Sequence, residues 1–435
     1  MLRWRIAILI SAAIAISYLD RQTLPVAIGE IRKEIPISNQ VKAFLDSAFL
    51  ITYGLMYLGG GRLMDVLGTR RGFLVIMIFW SVACASHAFA ANYGLTAVFG
   101  LPFAVVMLAA SRLLLGIGEG GGFPAATRAV AEWFPVKERS TAMGIINAGT
   151  GIGGIAAPPL IAWVLTSFHW LGLSPWRWVF LLTGALGLCW TIWWYKFYFP
   201  PENQPKLQPA ERALIEAGTE STGSSKAPSI PLSTLLRFRE TWGVVLAKFL
   251  TDAAWYFYMF WLPKYLLDAR GFDIKKVGSV AWIPFAAAGL GCLVGGGLSS
   301  WLLHRGHSVN AARKIALGLS AIVMPCVMLV PQVSVPWVIV LFSIAFFGQQ
   351  SWSTLVMILP TDLFPKRALG TVAGLVGLGG AMGGVVLGQT AGYLLDHGFS
   401  YTPVLIIAGS LHVIAFGIIC LAIPSIRPCS ISNQI

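Results

Sequence analysis

Long apolar runs separated by short charged connectors dominate the pattern along the chain. A membrane helix needs about 20 mostly apolar residues. That rule places spans near 5–29, 43–62, 72–91, 98–127, 141–166 and 177–199. After a polar stretch, further spans fall near 241–268, 276–303, 315–334, 337–360, 370–395 and 403–424. The pattern predicts an all-α membrane protein with about twelve transmembrane helices. The stretch from Pro200 to Glu240 reads as a tether with one short amphipathic helix near Pro209 to Glu216. The expected organisation is an N-terminal bundle over 1–199, a cytoplasmic linker over 200–240 and a C-terminal bundle over 241–435.

The connectors predict the orientation. Arg62, Arg70, Arg71, Lys137, Arg139, Arg305, Arg313, Lys314, Lys366 and Arg367 fall on one side. The opposite side is poorer, with Arg32, Lys33, Lys42, Arg270, Lys275 and Lys276 its main cations. Basic loops stay in the cytoplasm, so both termini and the linker are expected there. Residues Met1 to Arg5 and the run behind them mimic a signal peptide. The run continues into Tyr18-Leu19-Asp20-Arg21 without a small-residue cleavage site, so an uncleaved first helix is the reading.

Composition agrees. Hydrophobic residues make up 56% and charged ones 11%, with a mean hydropathy of +0.73. A soluble domain carries about 25% charged residues, so lipid must cover much of this surface. The net charge of +13 sits in connectors rather than on one aromatic-rich face, which argues against a nucleic-acid partner. Of the six cysteines, Cys84, Cys189, Cys292, Cys326 and Cys420 lie in apolar segments without metal-ligand spacing. No metal, cofactor or catalytic residue is expected. Glycine runs such as Gly149 to Gly154 lie within spans rather than after strands, so they do not bind a dinucleotide.

The two halves repeat. Phe134-Pro135 and Phe364-Pro365 are offset by 230 residues, and the same offset takes Thr141 to Thr371, Gly144 to Gly374 and Gly149 to Gly379. It also takes Gly153-Gly154 to Gly383-Gly384. Parallel repeats of this kind describe the halves of major facilitator transporters. The connector Gly61-Arg62-Leu63-Met64-Asp65-Val66-Leu67-Gly68-Thr69-Arg70-Arg71 resembles the signature gating loop of that superfamily. Gly61, Asp65, Gly68, Arg70 and Arg71 are its candidate gating residues. The loop's second copy is degenerate, with Ser300 where the superfamily often has aspartate.

Charges inside spans point to function. Asp20, Arg21, Arg112 and Glu119 would each cost roughly 2.5–3.5 kcal/mol at a helix centre, about 12 kcal/mol together. They must face a wet cavity or one another. Arg112 and Glu119 are about two turns apart and share a face, as do Tyr18 and Arg21. An Arg fork matches a carboxylate, which suits a small organic anion, while an intramembrane acid can carry a proton. Structural ion pairing is the alternative. In the second half Trp255, Tyr258 and Trp352 could pack on a sugar or simply pack. Gln350 is an amide in need of a partner. Lys248 and Asp252, four residues apart, are expected to pair with each other.

Ser17-Tyr18-Leu19-Asp20-Arg21-Gln22-Thr23-Leu24, Arg112 to Thr127 and Glu132-Trp-Phe-Pro135 resemble the anion:cation symporter family of the major facilitator superfamily. The likeness runs through nearly the whole chain and leans toward the hexuronate branch, with Trp255-Tyr-Phe-Tyr258 and Gln349-Gln350-Ser351-Trp352-Ser353 as further matches. It implies two pseudo-symmetric six-helix bundles and proton-coupled symport of a sugar acid by alternating access, in a bacterial inner membrane and as a monomer. It further implies that Tyr18, Arg21 and Tyr53 bind substrate. Asp20 and Glu119 would take up protons, with Arg112 coupled to them. Ser17 replaces a usual Asn, Gln349 stands where the branch often has His, and Leu355 where it often has Asn. A carrier of another carboxylate, an organophosphate antiporter and a non-transporting sensor of the same fold are the competing readings.

Overall fold

The computed structural model describes residues 1–93, 97, 100–135, 138–220 and 231–429, and the side chains of 61, 62, 65, 140, 216–220, 366 and 367 lie outside that description. The chain is a multi-pass membrane protein. Among the described residues the regular elements are helices, eleven of them long and apolar enough to cross a membrane. In the first half the long helices are α1 Leu2–Ile31, α2 Asn39–Gly60, α3 Val66–Phe89, α4 Phe103–Trp133, α5 Thr141–Ser167 and α6 Pro175–Phe197. In the second half they are α7 Arg239–Arg270, α8 Ile274–His304, α9 Val309–Gln332, α10 Val335–Leu363, α11 Ala368–Asp396 and α12 Thr402–Ala422. The helix outside the eleven is α7. Its 32 residues are ample in length, but Lys248, Asp252, Lys264 and Asp268 lower its hydropathy. Those charges pair along the helix, Lys248 with Asp252 and Lys264 with Asp268. The latter half of α9, Met324–Gln332, tightens to a 3-10 helix that holds Pro325 and Pro331.

The chain forms two compact units. One comprises Met1–Ile37, Ile51–Lys226 and Asp273–Ser279; the other comprises Ser38–Leu50, Ala227–Phe272 and Val280–Ile435. In the second unit the start of α2 is held by α11: Asp396 accepts from the backbone N–H of Asn39 at 2.9 Å and of Gln40 at 2.7 Å. In the first, Gly278 lies so close to α5 that an added Cβ would stand 2.4 Å from that of Ala162. The polar stretch after α6 is partly folded. Its helix Pro209–Glu220 belongs to the first unit, where Glu211 accepts from the N–H groups of Leu2 and Arg3 and from Arg3 Nη1. Burial opposes ionisation of Glu211, yet those donors hold its carboxyl below the usual range. Arg3 also grips Glu138 at the start of α5 at 2.8 Å.

The repeated glycines have one physical job. On α5, a Cβ at Gly149 would sit 2.2 Å from the carbonyl oxygen of Ser11, and one at Gly153 would sit 2.2 Å from that of Ala15 on α1. On α11, a Cβ at Gly383 would sit 1.8 Å from the carbonyl oxygen of Phe249 on α7, and one at Gly379 would sit 3.0 Å from Val245. Small residues let helix backbones touch where lipid supplies no hydrophobic drive. Gly153→Ala and Gly383→Ala should therefore each destabilise the protein by about 1–3 kcal/mol. Gly151→Ala, at a position open for 4 Å, should be silent. Thermal unfolding of the three variants in detergent checks this, and equal melting of all three would refute close packing.

The connector between α2 and α3 turns at Gly68, whose φ of 71° and ψ of 159° suit glycine alone. Just beyond it, Thr69 donates to Glu132 at the end of α4 at 2.5 Å, and Tyr198 donates to the same carboxylate at 2.7 Å. Arg70 donates to the Tyr195 carbonyl at 2.8 Å and lies 3.8 Å from the centre of the Phe199 ring. Arg71 is exposed. The side chains of Gly61 and Asp65 fall outside the described residues.

Candidate functional site

In the first unit a triplet of glycine, acid and glycine on α4 delivers Glu119 to α1. A Cβ on Gly118 would be 2.4 Å from Trp80 of α3, and one on Gly120 would be 2.7 Å from Met56 and from the Tyr53 carbonyl of α2. Without those side chains α4 lies close to α2 and α3, and Glu119 reaches α1. There Ser17 and Arg21, one turn apart, meet the same carboxylate oxygen. Ser17 Oγ donates to Glu119 Oε2 at 2.7 Å and Arg21 Nε donates to it at 2.6 Å. The other carboxylate oxygen, Oε1, accepts no hydrogen bond.

Arg21 is also flanked by rings. Its guanidinium carbon lies 4.6 Å from the centre of Tyr18 and 4.4 Å from that of Tyr53. A desolvated cation over an aromatic face gains about 2 kcal/mol. The side chain is 2% exposed and its Glu119 partner 0%. The structure thus brings together Ser17, Tyr18, Arg21, Tyr53 and Glu119. Their arrangement can hold an arginine ready while an acid occupies part of its fork.

Asp20 is buried beside this group with different company. Its Oδ1 accepts from the Cys84 thiol at 3.5 Å, and Oδ2 accepts no hydrogen bond. Cys84 in turn contacts Thr183 of α6 at 3.2 Å. A thiol is a weak donor, and the Thr183 hydroxyl also hydrogen-bonds Asp20, so the groups bonded to this carboxyl are neutral. Arg112 is buried within electrostatic reach of Asp20 and Glu119. His87 is fully buried, stacked on Phe180 with ring centres 4.7 Å apart. Cys84 and Thr183 are neighbours that sequence reasoning missed, because a thiol in an apolar run looks merely structural.

In the second unit the aromatic candidates are packed. Trp255 meets the edges of Phe285 and Phe346, and Tyr258 stacks on Phe346 with ring centres 5.9 Å apart. Trp352 lies in the apolar core, and neither its indole N–H nor the Tyr258 hydroxyl has a hydrogen-bond partner. Gln350 is half-buried and accepts from the Cys292 thiol at 3.7 Å. The connected polar groups are others. Lys248 and Asp252 pair at 2.8 Å, and Gln349 and His412 join them. Gln349 was findable, since the 230-residue offset carries Glu119 onto it. His412, alone in the apolar run of α12, left no signal. Among the described residues no group of three or more His, Cys, Asp or Glu could hold a metal.

The Major Facilitator Superfamily profile matches residues 10–388. The hexuronate transporter of Escherichia coli K12 is 32% identical over 404 residues, covering 92% of this chain and 89% of its own. The galacturonate transporter of Dickeya chrysanthemi is 34% identical over 326 residues, 74% of this chain and 89% of the relative. Among solved structures, the inward-open xylose transporter of E. coli superposes with a TM-score of 0.73 at 15% identity, covering 99% of this chain and 98% of that one. At that identity the likeness speaks for the fold alone. The profile and the sugar-acid relatives agree with the resemblance read from the motifs. The chain belongs to the Major Facilitator Superfamily, on a branch with hexuronate and related sugar-acid transporters, and it is a transporter of the same fold.

Proposed function

We propose that this transporter is a proton-coupled symporter of a hexuronate or closely related sugar acid. It works by alternating access, as a monomer in a bacterial inner membrane with both termini in the cytoplasm. The observation that carries the reading is Arg21, flanked by Tyr18 and Tyr53 and held at 2.6 Å by Glu119. An arginine fork binds a carboxylate in two parallel bonds. Protonation of Glu119 would weaken its hold on Arg21 and free the fork for the substrate carboxylate. Asp20, bonded to the neutral Cys84 thiol and Thr183 hydroxyl and with an Oδ2 that accepts nothing, has room for a proton without breaking a strong ion pair. Arg112 acts on both acids through its charge. The hexuronate relatives support the substrate class, and the basic connectors support the orientation.

Two acids serve an energetic purpose. One proton with a monoanion crosses without net charge, whereas a second adds about 2.3 kcal/mol per 100 mV of membrane potential. The test is uptake of labelled D-galacturonate and D-glucuronate into proteoliposomes with imposed proton gradients. Accumulation that follows the gradient and collapses with a protonophore is expected. Uptake of either acid that ignores the gradient would remove the proton role. Absence of any uptake, with the protein shown to be folded, would remove the substrate class.

A further inference from the structure

The 230-residue repeat carries Gly118-Glu119 onto Gly348-Gln349. Both glycines seat their helices alike: a Cβ on Gly118 would be 2.4 Å from Trp80 of α3, and one on Gly348 would be 2.7 Å from Val323 of α9. Gln349 is therefore the second unit's counterpart of the acid that holds Arg21. The acid of this unit stands elsewhere, at Asp252 on α7, where it holds Lys248 at 2.8 Å.

The amide of Gln349 is used at both ends. Its Nε2 donates to Asp252 Oδ1 at 3.4 Å, and its Oε1 accepts from His412 Nε2 on α12. Lys248 also donates to Ser353 Oγ of α10 at 2.8 Å. On α11, Gly380 leaves space for the acid, since a Cβ there would fall 2.3 Å from Asp252 Oδ2. The edge of Trp352 backs His412, with ring centres 5.6 Å apart. Burial falls along this chain of bonds. His412 and Gln349 are 0% and 1% exposed, whereas Lys248 and Asp252 are 7% and 8% exposed.

Stability alone does not explain such a chain, because apolar replacements of buried ionic networks are often as stable. Its form suits recognition. A lysine has donors without acceptors, and a carboxylate has acceptors without donors. Side by side they match two neighbouring hydroxyls of a polyol, one accepting and one donating. We propose that the Lys248–Asp252 pair is the hydroxyl-reading, specificity-determining element of the second unit, with Gln349 and His412 as positioning residues that fix Asp252. This deepens the sugar-acid reading and rests on it.

The test compares kcat/KM for D-galacturonate and its C4 epimer D-glucuronate in proteoliposomes, for the wild type and three variants. The wild type is expected to favour one epimer. Lys248→Met should lower that ratio by roughly tenfold or more, the worth of one charged hydrogen bond. His412→Leu should lower it likewise, and His412→Gln, which can again donate to Gln349, should restore it. Melting temperatures are read in parallel, because a purely structural role would move them while leaving the ratio alone. A wild type blind to the epimers, or variants that keep the wild-type ratio, would overturn the assignment while leaving sugar-acid transport intact. Uptake of neither acid by the wild type would overturn both.

Discussion

Replacing Arg21 with lysine should lower kcat/KM for sugar-acid uptake by roughly 10²–10³-fold. The charge is kept, so the effect isolates geometry. The arginine places its Nε on Glu119 at 2.6 Å while its plane lies against Tyr18 and Tyr53, 4.6 and 4.4 Å from their centres. A lysine is a compact point charge that neither stacks on two rings nor offers a two-pronged fork. Losing one charge-assisted bond costs about 1.5–3 kcal/mol and losing a desolvated ring contact about 1–2 kcal/mol. Together these span about 2.5–5 kcal/mol, and at 1.4 kcal/mol per tenfold the middle of that range is about 10²–10³-fold. The alanine variant is less informative. It strands Glu119 as a buried unpaired charge, at about 3–5 kcal/mol of stability. Initial rates over a range of galacturonate concentrations, with melting temperature alongside, settle the matter. A lysine variant within threefold of wild type would exclude Arg21 as the carboxylate fork.

The second large effect concerns Asp20. An Asp20→Asn variant should lose accumulation driven by the membrane potential yet keep substrate exchange across the membrane. Asparagine fills the same space and can sit beside Cys84, so the packing around Thr183 is spared. What it lacks is the ability to take up and release a proton. Glu119 still carries one proton with the monoanion, so the cycle moves no net charge, and a membrane potential at equal pH should leave the ratio of inside to outside substrate at one. Counterflow should persist because Arg21 and Glu119 are untouched. The checking measurements are accumulation under an imposed membrane potential at equal pH and counterflow without one, on the same vesicles. A variant that the membrane potential still drives to concentrate substrate would clear Asp20 of any role in coupling.

The departures from the family pattern acquire meaning only in three dimensions. Ser17 stands where a usual Asn would be, and its hydroxyl still donates to Glu119 at 2.7 Å. Gln349 stands where the branch often has His, and a histidine is present all the same, at His412 on another helix and bonded to that glutamine. No spacing rule links α10 to α12, so this pairing could not be read from the chain. Asp20 and Arg21 show the same limit. They are adjacent in sequence, yet Arg21 meets a carboxylate of α4 while Asp20 meets a thiol of α3.

From the amino-acid order alone came the membrane helices, the internal repeat, the family and the intramembrane charges of α1 and α4. Each follows from a local cost: a charge or an unpaired peptide group in lipid is expensive wherever the helix stands. The repeat of glycines was legible for the same reason, as a demand for close backbones. Which carboxylate meets which cation is a different kind of fact. It depends on how α1, α2, α3 and α4 are rotated in the first unit, and α7, α10 and α12 in the second. Those rotations arise from packing summed over whole helices. Only the tertiary structure decides that Arg21 pairs with Glu119 between two tyrosines, that Trp352 serves the core, and that His412 reaches Asp252 through an amide.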